Sequence, residues 1–294
     1  MTKTYFAAVL SFLGIFFNPC AAQTSPTGGE TVRRSPESRL ESAEKSRNNS
    51  AASVTFQRRG QLSFRKRISR EQKKRLAPDA ADWQRHETFL RQPKTGLIKL
   101  FPDVGCEENA AIVRADELCL SQIPMSGFYS FREKEHTSDY LSDIRLKDGI
   151  LITDGLLTQG ILVALGDVAL ENISLSSGGM KFLNEFTPET QGVKALDQTK
   201  QIIRGIRAGE HTYRKALPAR ENMTYALRAI AYRGRFIQVL HGFPYDMLAG
   251  DDRVDITVAF RVLKKDAAGN YTLLWKELDR KDAPKIIFPK RNKS

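Results

Sequence analysis

The residues best equipped for chemistry lie close together: His241-Gly242-Phe243-Pro244-Tyr245-Asp246, continuing to Gly250-Asp251-Asp252. An imidazole near carboxylates has the groups for general acid and base work, with His241 and Asp246 as the pair. Three aspartates in one loop also have the oxygen chemistry of a calcium site. Against both stands a simpler reading, an aromatic-anchored surface loop before a strand, with Asp251 and Asp252 solvated, and this is the reading adopted. His86, His136 and His211 have no His or Cys neighbour at metal-ligand spacing, so a zinc site would have to be assembled wholly by the fold. The run Glu133, Glu135, His136 reads as a solvated turn between strands. Ser42 with Lys45 and Ser63 with Lys66 match Ser-x-x-Lys, but both pairs fall in a polar stretch where nothing would desolvate the lysine. Nucleophile-elbow, phosphate-loop, dinucleotide and zinc-helix motifs are absent. No cofactor or metal site is expected.

The compartment is more legible than the chemistry. Lys3 precedes an apolar run from Tyr5 to Phe17 broken by Ser11 and Gly14, then Asn18-Pro19 and the small residues Cys20-Ala21-Ala22. This is the pattern of a signal peptide over residues 1–22, cleaved before Gln23. As a helix the apolar run would reach only about 20 Å, short of the roughly 30 Å hydrocarbon core of a bilayer. No transmembrane segment is expected in the mature chain. Export permits disulfides, and Cys106 and Cys119 are the two cysteines left after cleavage. Bridging them would close a short loop and contribute about 3 kcal/mol. Triplets for Asn-linked glycosylation begin at Asn48, Asn172, Asn222 and Asn270.

Charge divides the chain. Residues 23–75 carry 14 Lys or Arg against 5 Glu, a net of +9, whereas residues 76–294 net only +2. Only 7 of those 53 residues are Leu, Ile, Val or Phe, too few to offset the entropy of ordering. We therefore read 23–77 as a disordered basic tail. Within it, Val54-Thr55-Phe56 and Leu62-Ser63-Phe64 alternate around Arg58-Arg59-Gly60 and would suit a ribbon formed on a partner. Basic stretches of this kind attract anionic envelope polymers or membrane surfaces by charge density. Nothing in the pattern points to specific nucleic-acid recognition.

Residues 78–290 read as a single β-rich domain. A helix is expected over Pro78–Leu90, with Trp83, His86 and Leu90 on one face, and another over Ala195–Ala208, with Leu196, Ile203 and Ile206 near one apolar face and Gly209 ending it. Period-two alternation in Val254–Val262, returning through Tyr271–Lys276 after the turn at Lys264–Asn270, predicts a half-exposed hairpin. Further strands are expected at Leu97–Phe101, Gly127–Phe131, Ile150–Thr153, Ile161–Leu165, Met223–Tyr232, Phe236–Leu240 and Ile286–Phe288. The runs at Ile150 and Ile161 are apolar on both faces and predict covered strands. The fold class expected is mainly β with a few helices (α+β): an antiparallel sandwich or open barrel-like body after the tail. The functional expectation is an exported, non-catalytic domain that binds a polyanion, membrane surface or partner protein. The alternative is a secreted hydrolase assembled around His241 and Asp246.

Overall fold

The computed structural model describes residues 69–103, 123, 125–240 and 243–289, all within one compact unit. His241, Cys106, Cys119, the signal segment, Ser42, Lys45, Ser63, Lys66 and the Val54–Phe64 alternation lie outside the described residues.

Among the described residues three short helices come first. α1 (Arg70–Leu76) opens on a capping box: Gln72 N–H donates to the Ser69 hydroxyl and Ser69 N–H to the Gln72 amide oxygen, at 3.1 and 2.9 Å. It lies at the end of the stretch read as tail and buries Leu76. α2 (Ala80–Arg85) and α3 (Glu87–Leu90) replace the single helix expected over 78–90. The break at His86 shifts the register, so Phe89 reaches the core and Trp83 is left exposed.

Strands then dominate: β1 (Thr95–Leu100), β2 (Phe128–Ser130), β3 (Glu135–His136), β4 (Ile144–Lys147), β5 (Ile150–Thr153) and β6 (Thr158–Gly166). Two helices follow, α4 (Met180–Glu185) and α5 (Gly192–Arg204). α5 ends at Gly205, whose φ of 100° suits glycine, not at Gly209 as expected. Its buried residues are Ala195 and Ile202, and Ile203, expected inside, is exposed. Residues 206–208, expected in that helix, form β7 (Ile206–Ala208), which pairs with β8 (His211–Tyr213); β9 (Ala216–Pro218) comes next. The remaining strands are β10 (Thr224–Ala231), β11 (Ile237–Leu240), β12 (Phe243–Asp246), β13 (Val254–Lys265) and β14 (Tyr271–Asp282). The stretch Ile286–Phe288, expected as a strand, makes only an isolated bridge through Ile287 to Gln191.

The central sheet has the order β1-β14-β13-β10-β6, all antiparallel, and a second sheet has the order β3-β2-β4-β5-β9. One face of the central sheet packs Ile256, Val258, Phe260, Leu273 and Trp275 against Tyr129, Phe131, Ile144, Leu146 and Leu151 of the second. Its other face packs Ala226, Ala259 and Leu274 against Phe89 of α3, Met180 and Leu183 of α4, and Ile202 of α5. The result is an antiparallel α+β sandwich, and no sheet closes into a barrel among the described residues. The β13–β14 hairpin, expected to be half exposed, is central and covered on both faces, because short helices close the side that alternation assigned to water. Ile161 is buried as expected, but Ile150, at the start of β5, is exposed.

Within the central sheet a missing side chain makes room for a large one. Trp275 lies over Gly96, its cross-strand neighbour, and a Cβ on Gly96 would sit 2.5 to 2.8 Å from the indole. Gly96→Val should therefore cost about 1–3 kcal/mol by overpacking. The checks are the urea midpoint and a change in Trp275 fluorescence in the folded state; an unchanged midpoint would show that the indole can move aside.

Candidate functional site

The stretch singled out for chemistry folds into a ribbon and the loop that ties it down. β11 and β12 pair only with each other among the described residues, from Ile237 opposite Asp246 to Leu240 opposite Phe243. The expected surface loop is thus a strand over Phe243–Asp246. Asp246 closes the ribbon's base: its Oδ1 accepts from Phe236 N–H at 3.1 Å and Leu248 N–H at 3.2 Å, and Arg235 Nε lies 3.3 Å from Oδ2. That carboxylate serves as a turn acceptor.

Five residues on, Asp251 is buried, contrary to the solvated position expected for it. Arg132 Nη1 donates to both of its oxygens at 2.8 Å, and Arg253 Nη1 to Oδ2 at 2.6 Å. Arg132 continues the chain of charge: Nε donates to Asp143 Oδ1 at 2.6 Å, Nη1 to the Asp252 carbonyl at 2.9 Å and Nη2 to the Leu141 carbonyl at 2.8 Å. Ser130 Oγ and the Arg132 N–H donate to the other oxygen of Asp143. Arg253 also holds the carbonyls of Tyr232, Leu156 and Leu157. Burial disfavours the charge on Arg132, but Asp143 and Asp251 more than restore it and hold its pKa above the ordinary value. For Arg253 burial prevails over Asp251, and its pKa is lowered. Asp252 is exposed and pairs with Arg280 Nη1 at 2.8 Å. Its N–H donates to Glu133 Oε1, so Glu133 belongs to this network and is not merely a solvated turn residue.

The three aspartates therefore do not converge on one cation site. Two are held by guanidinium groups, and the third by the backbone of its own turn and Arg235. Among the described residues no group of His, Cys, Asp and Glu could hold a metal ion. His136 sits on β3 with Nδ1 3.1 Å from the Phe128 carbonyl, and burial lowers its pKa to about 4, which corrects its reading as part of a solvated run. The acceptor asparagines also diverge. Asn172 and Asn222 are exposed, whereas Asn270 is buried and donates to Asp266.

Two other places gather polar groups. A cleft of about 240 Å³ is lined by His86, Asp167, Glu171 and Arg261 over Leu170 and Leu274, but Arg261 is already held by Asp167 at 2.6 Å and by the Val168 carbonyl. Elsewhere Arg145 Nε lies 3.0 Å from Asp154, and Arg145 Nη1 3.6 Å from Asp103. Burial pushes Asp154 up, opposed by Arg145 and Lys215, while burial pulls Lys215 down to about 8. Sequence reasoning missed Arg132, Asp143, Arg145 and Lys215 because none sits in a motif.

Two outcomes are expected. Asp251→Asn leaves Arg132 and Arg253 short of a counter-charge and should cost about 3–5 kcal/mol in urea unfolding, with faster proteolysis near the ribbon. A loss below about 1 kcal/mol would mean that Asp143 suffices. For Lys215, the folded pKa lies below the ordinary value of 10.5, so the unfolded chain binds the proton more tightly. Its cost to stability is full below about pH 8 and vanishes as pH rises through 10.5. Lys215→Met should raise the melting temperature at pH 7 and lose that advantage at high pH; a constant difference would show that the ammonium is not the cause.

No helix among the described residues is long and apolar enough to cross a membrane. No family model, no curated protein and no solved structure matches the chain.

Proposed function

We propose that this chain is an exported binding protein without catalytic chemistry of its own: a β-rich domain carried on a basic tether that engages anionic polymers or surfaces. The observation that carries the reading is how the polar constellation is used. Asp246, Asp251 and Asp252 are taken up in fastening a ribbon whose Ile237 and Val239 face solvent. The carboxylate oxygens are engaged as acceptors for guanidinium and backbone N–H groups of the domain itself, which supports a fastening role over one turned toward a substrate. An exposed apolar ribbon has instead the character of a contact surface. The apolar run Tyr5–Phe17 with Cys20-Ala21-Ala22 after it supports export, and the net +9 of residues 23–75 supports a polyanion as the tether's partner.

Retention of the protein on immobilised heparin tests the tether. Replacing Arg58, Arg59, Arg65, Lys66 and Arg67 together by Gln should lower the eluting salt concentration markedly, because released counterions scale with the number of cations that make contact. Thermal unfolding should be unaffected. Equal elution of the two proteins would refute the tether as the seat of polyanion binding.

A further inference from the structure

The body's net positive charge comes from one stretch of its sequence. Residues 285–294, Lys-Ile-Ile-Phe-Pro-Lys-Arg-Asn-Lys-Ser, hold 4 Lys or Arg and no acid, while residues 76–284 hold 27 against 29, a net of −2. The part of this stretch within the described residues is fastened on two sides. Arg233 and Lys285 form a parallel bridge, with the Arg233 N–H donating to the Pro284 carbonyl and the Ile286 N–H to the Arg233 carbonyl, both at 2.9 Å. Ile287 bridges to Gln191, and the Phe288 ring lies against Gly192 at the start of α5.

Among the described residues, the segments joined in this way carry five of the nine large apolar side chains left in water. Ile287 is 50% exposed, Phe288 54%, Val193 of α5 61%, and on the ribbon that follows Arg233, Ile237 is 45% and Val239 65% exposed. Arg233 and Lys285 stand among them, both exposed and neither in an ion pair within the described residues. A folded domain has no stability reason to collect exposed Ile, Val and Phe beside unneutralised cations.

We propose that this surface, built from Lys285–Pro289, Val193 and the β11–β12 ribbon, docks on an anionic lipid bilayer. The chemistry selects the partner. Protein interfaces are depleted of lysine and demand a shaped counterpart. A fluid bilayer interface accepts protruding aliphatic and aromatic groups of any outline, and its anionic headgroups draw the cations around them. The proposal deepens the reading of the protein as an exported polyanion binder and rests on that reading only for the compartment, since its residues are not those of the tether.

The test is co-sedimentation of the full chain with vesicles of phosphatidylcholine containing about one-third phosphatidylglycerol, at about 0.15 M salt, beside neutral vesicles and immobilised heparin. Ile287→Ser with Phe288→Ser should weaken partition onto the anionic vesicles about tenfold, because two apolar groups no longer leave water. Heparin, which offers no apolar phase, should still retain this variant as before. Val239→Ser, at a side chain 65% exposed, should weaken vesicle binding by a smaller factor without touching the fold, and Arg233→Glu with Lys285→Glu should narrow the preference for anionic over neutral vesicles, the tether's charge keeping a remainder. Unchanged vesicle binding in the Ile287/Phe288 and Val239 variants overturns the proposal, and so does an equal loss on heparin, which would reduce the surface to plain charge. Loss of a co-purifying protein with vesicle binding intact would assign the surface to a protein partner and overturn it too. Unaltered heparin retention in the tail-neutralised protein would sink the tether alone and leave this surface standing.

Discussion

Arg228 rises from the middle of the central sheet into the helical layer, where no water can solvate it, and its pairing sets the conditions for everything around it. Nε and Nη2 meet Asp255 of the neighbouring strand at 2.9 and 2.7 Å, and Nη1 holds the carbonyls of Leu183 and Phe186 at 2.5 and 2.7 Å. Those carbonyls belong to the end of α4 and the residue that follows it, groups that a helix terminus leaves without partners. One side chain therefore fixes strand to strand and helix to sheet together. Removing either charge would leave the other buried and uncompensated, a cost of several kcal/mol. The packing of Met180 and Leu183 on the sheet depends on this joint being made.

The same constraint recurs near the second sheet. Arg132, wholly buried, joins Asp143 next to β4 to Asp251 in the loop before β13, and Arg253 reaches from there to the carbonyls of Leu156 and Leu157. Covering the central sheet on both faces forces its polar neighbours into closed sets of this type, since a buried donor or acceptor left unmade is expensive. Exposed apolar side chains are thereby left to what the sandwich does not cover. The ribbon and Lys285–Pro289 are such places: the first is fastened at its base by the Asp246 carboxylate, the second by backbone bonds to Arg233, Thr190 and Gly192, and both leave apolar side chains outside.

Turns show how local chemistry and tertiary demand can agree. Between β13 and β14, Asp266 accepts from the N–H groups of Ala268 and Asn270 at 3.0 and 2.9 Å, and Gly269 takes a positive φ of 84°. Burial alone would raise the Asp266 pKa, but the bonds from Asn270 and Lys99 bring it down to about 2. The long hairpin thus has a turn that its own residues specify, which is why alternation and turn chemistry together mark it so clearly. The ribbon at β11 and β12 is only half legible in the chain. Alternation announces β11, but Pro244 and Asp246 give β12 the composition of a loop.

What the residues by themselves determined is whatever depends on near neighbours. Alternation in Val254–Val262 marks a strand because side chains of a strand point to opposite faces at a period of two, and Asp266 with Gly269 marks its turn. An antiparallel, mostly β class follows from many such short strands without regular helical crossovers between them. The uneven charge is likewise a property of the chain alone. Tertiary structure decided which faces were covered, so the hairpin predicted to be half exposed became the centre, and Ile203 was turned out while Ile202 went in. It also decided what the carboxylates were for. Asp251 is joined to a guanidinium 119 residues away, and Arg228 to a carboxylate 27 residues away. Nothing near either residue hints at its partner, because an ion pair depends on separation in space and burial from water, and chain order constrains neither.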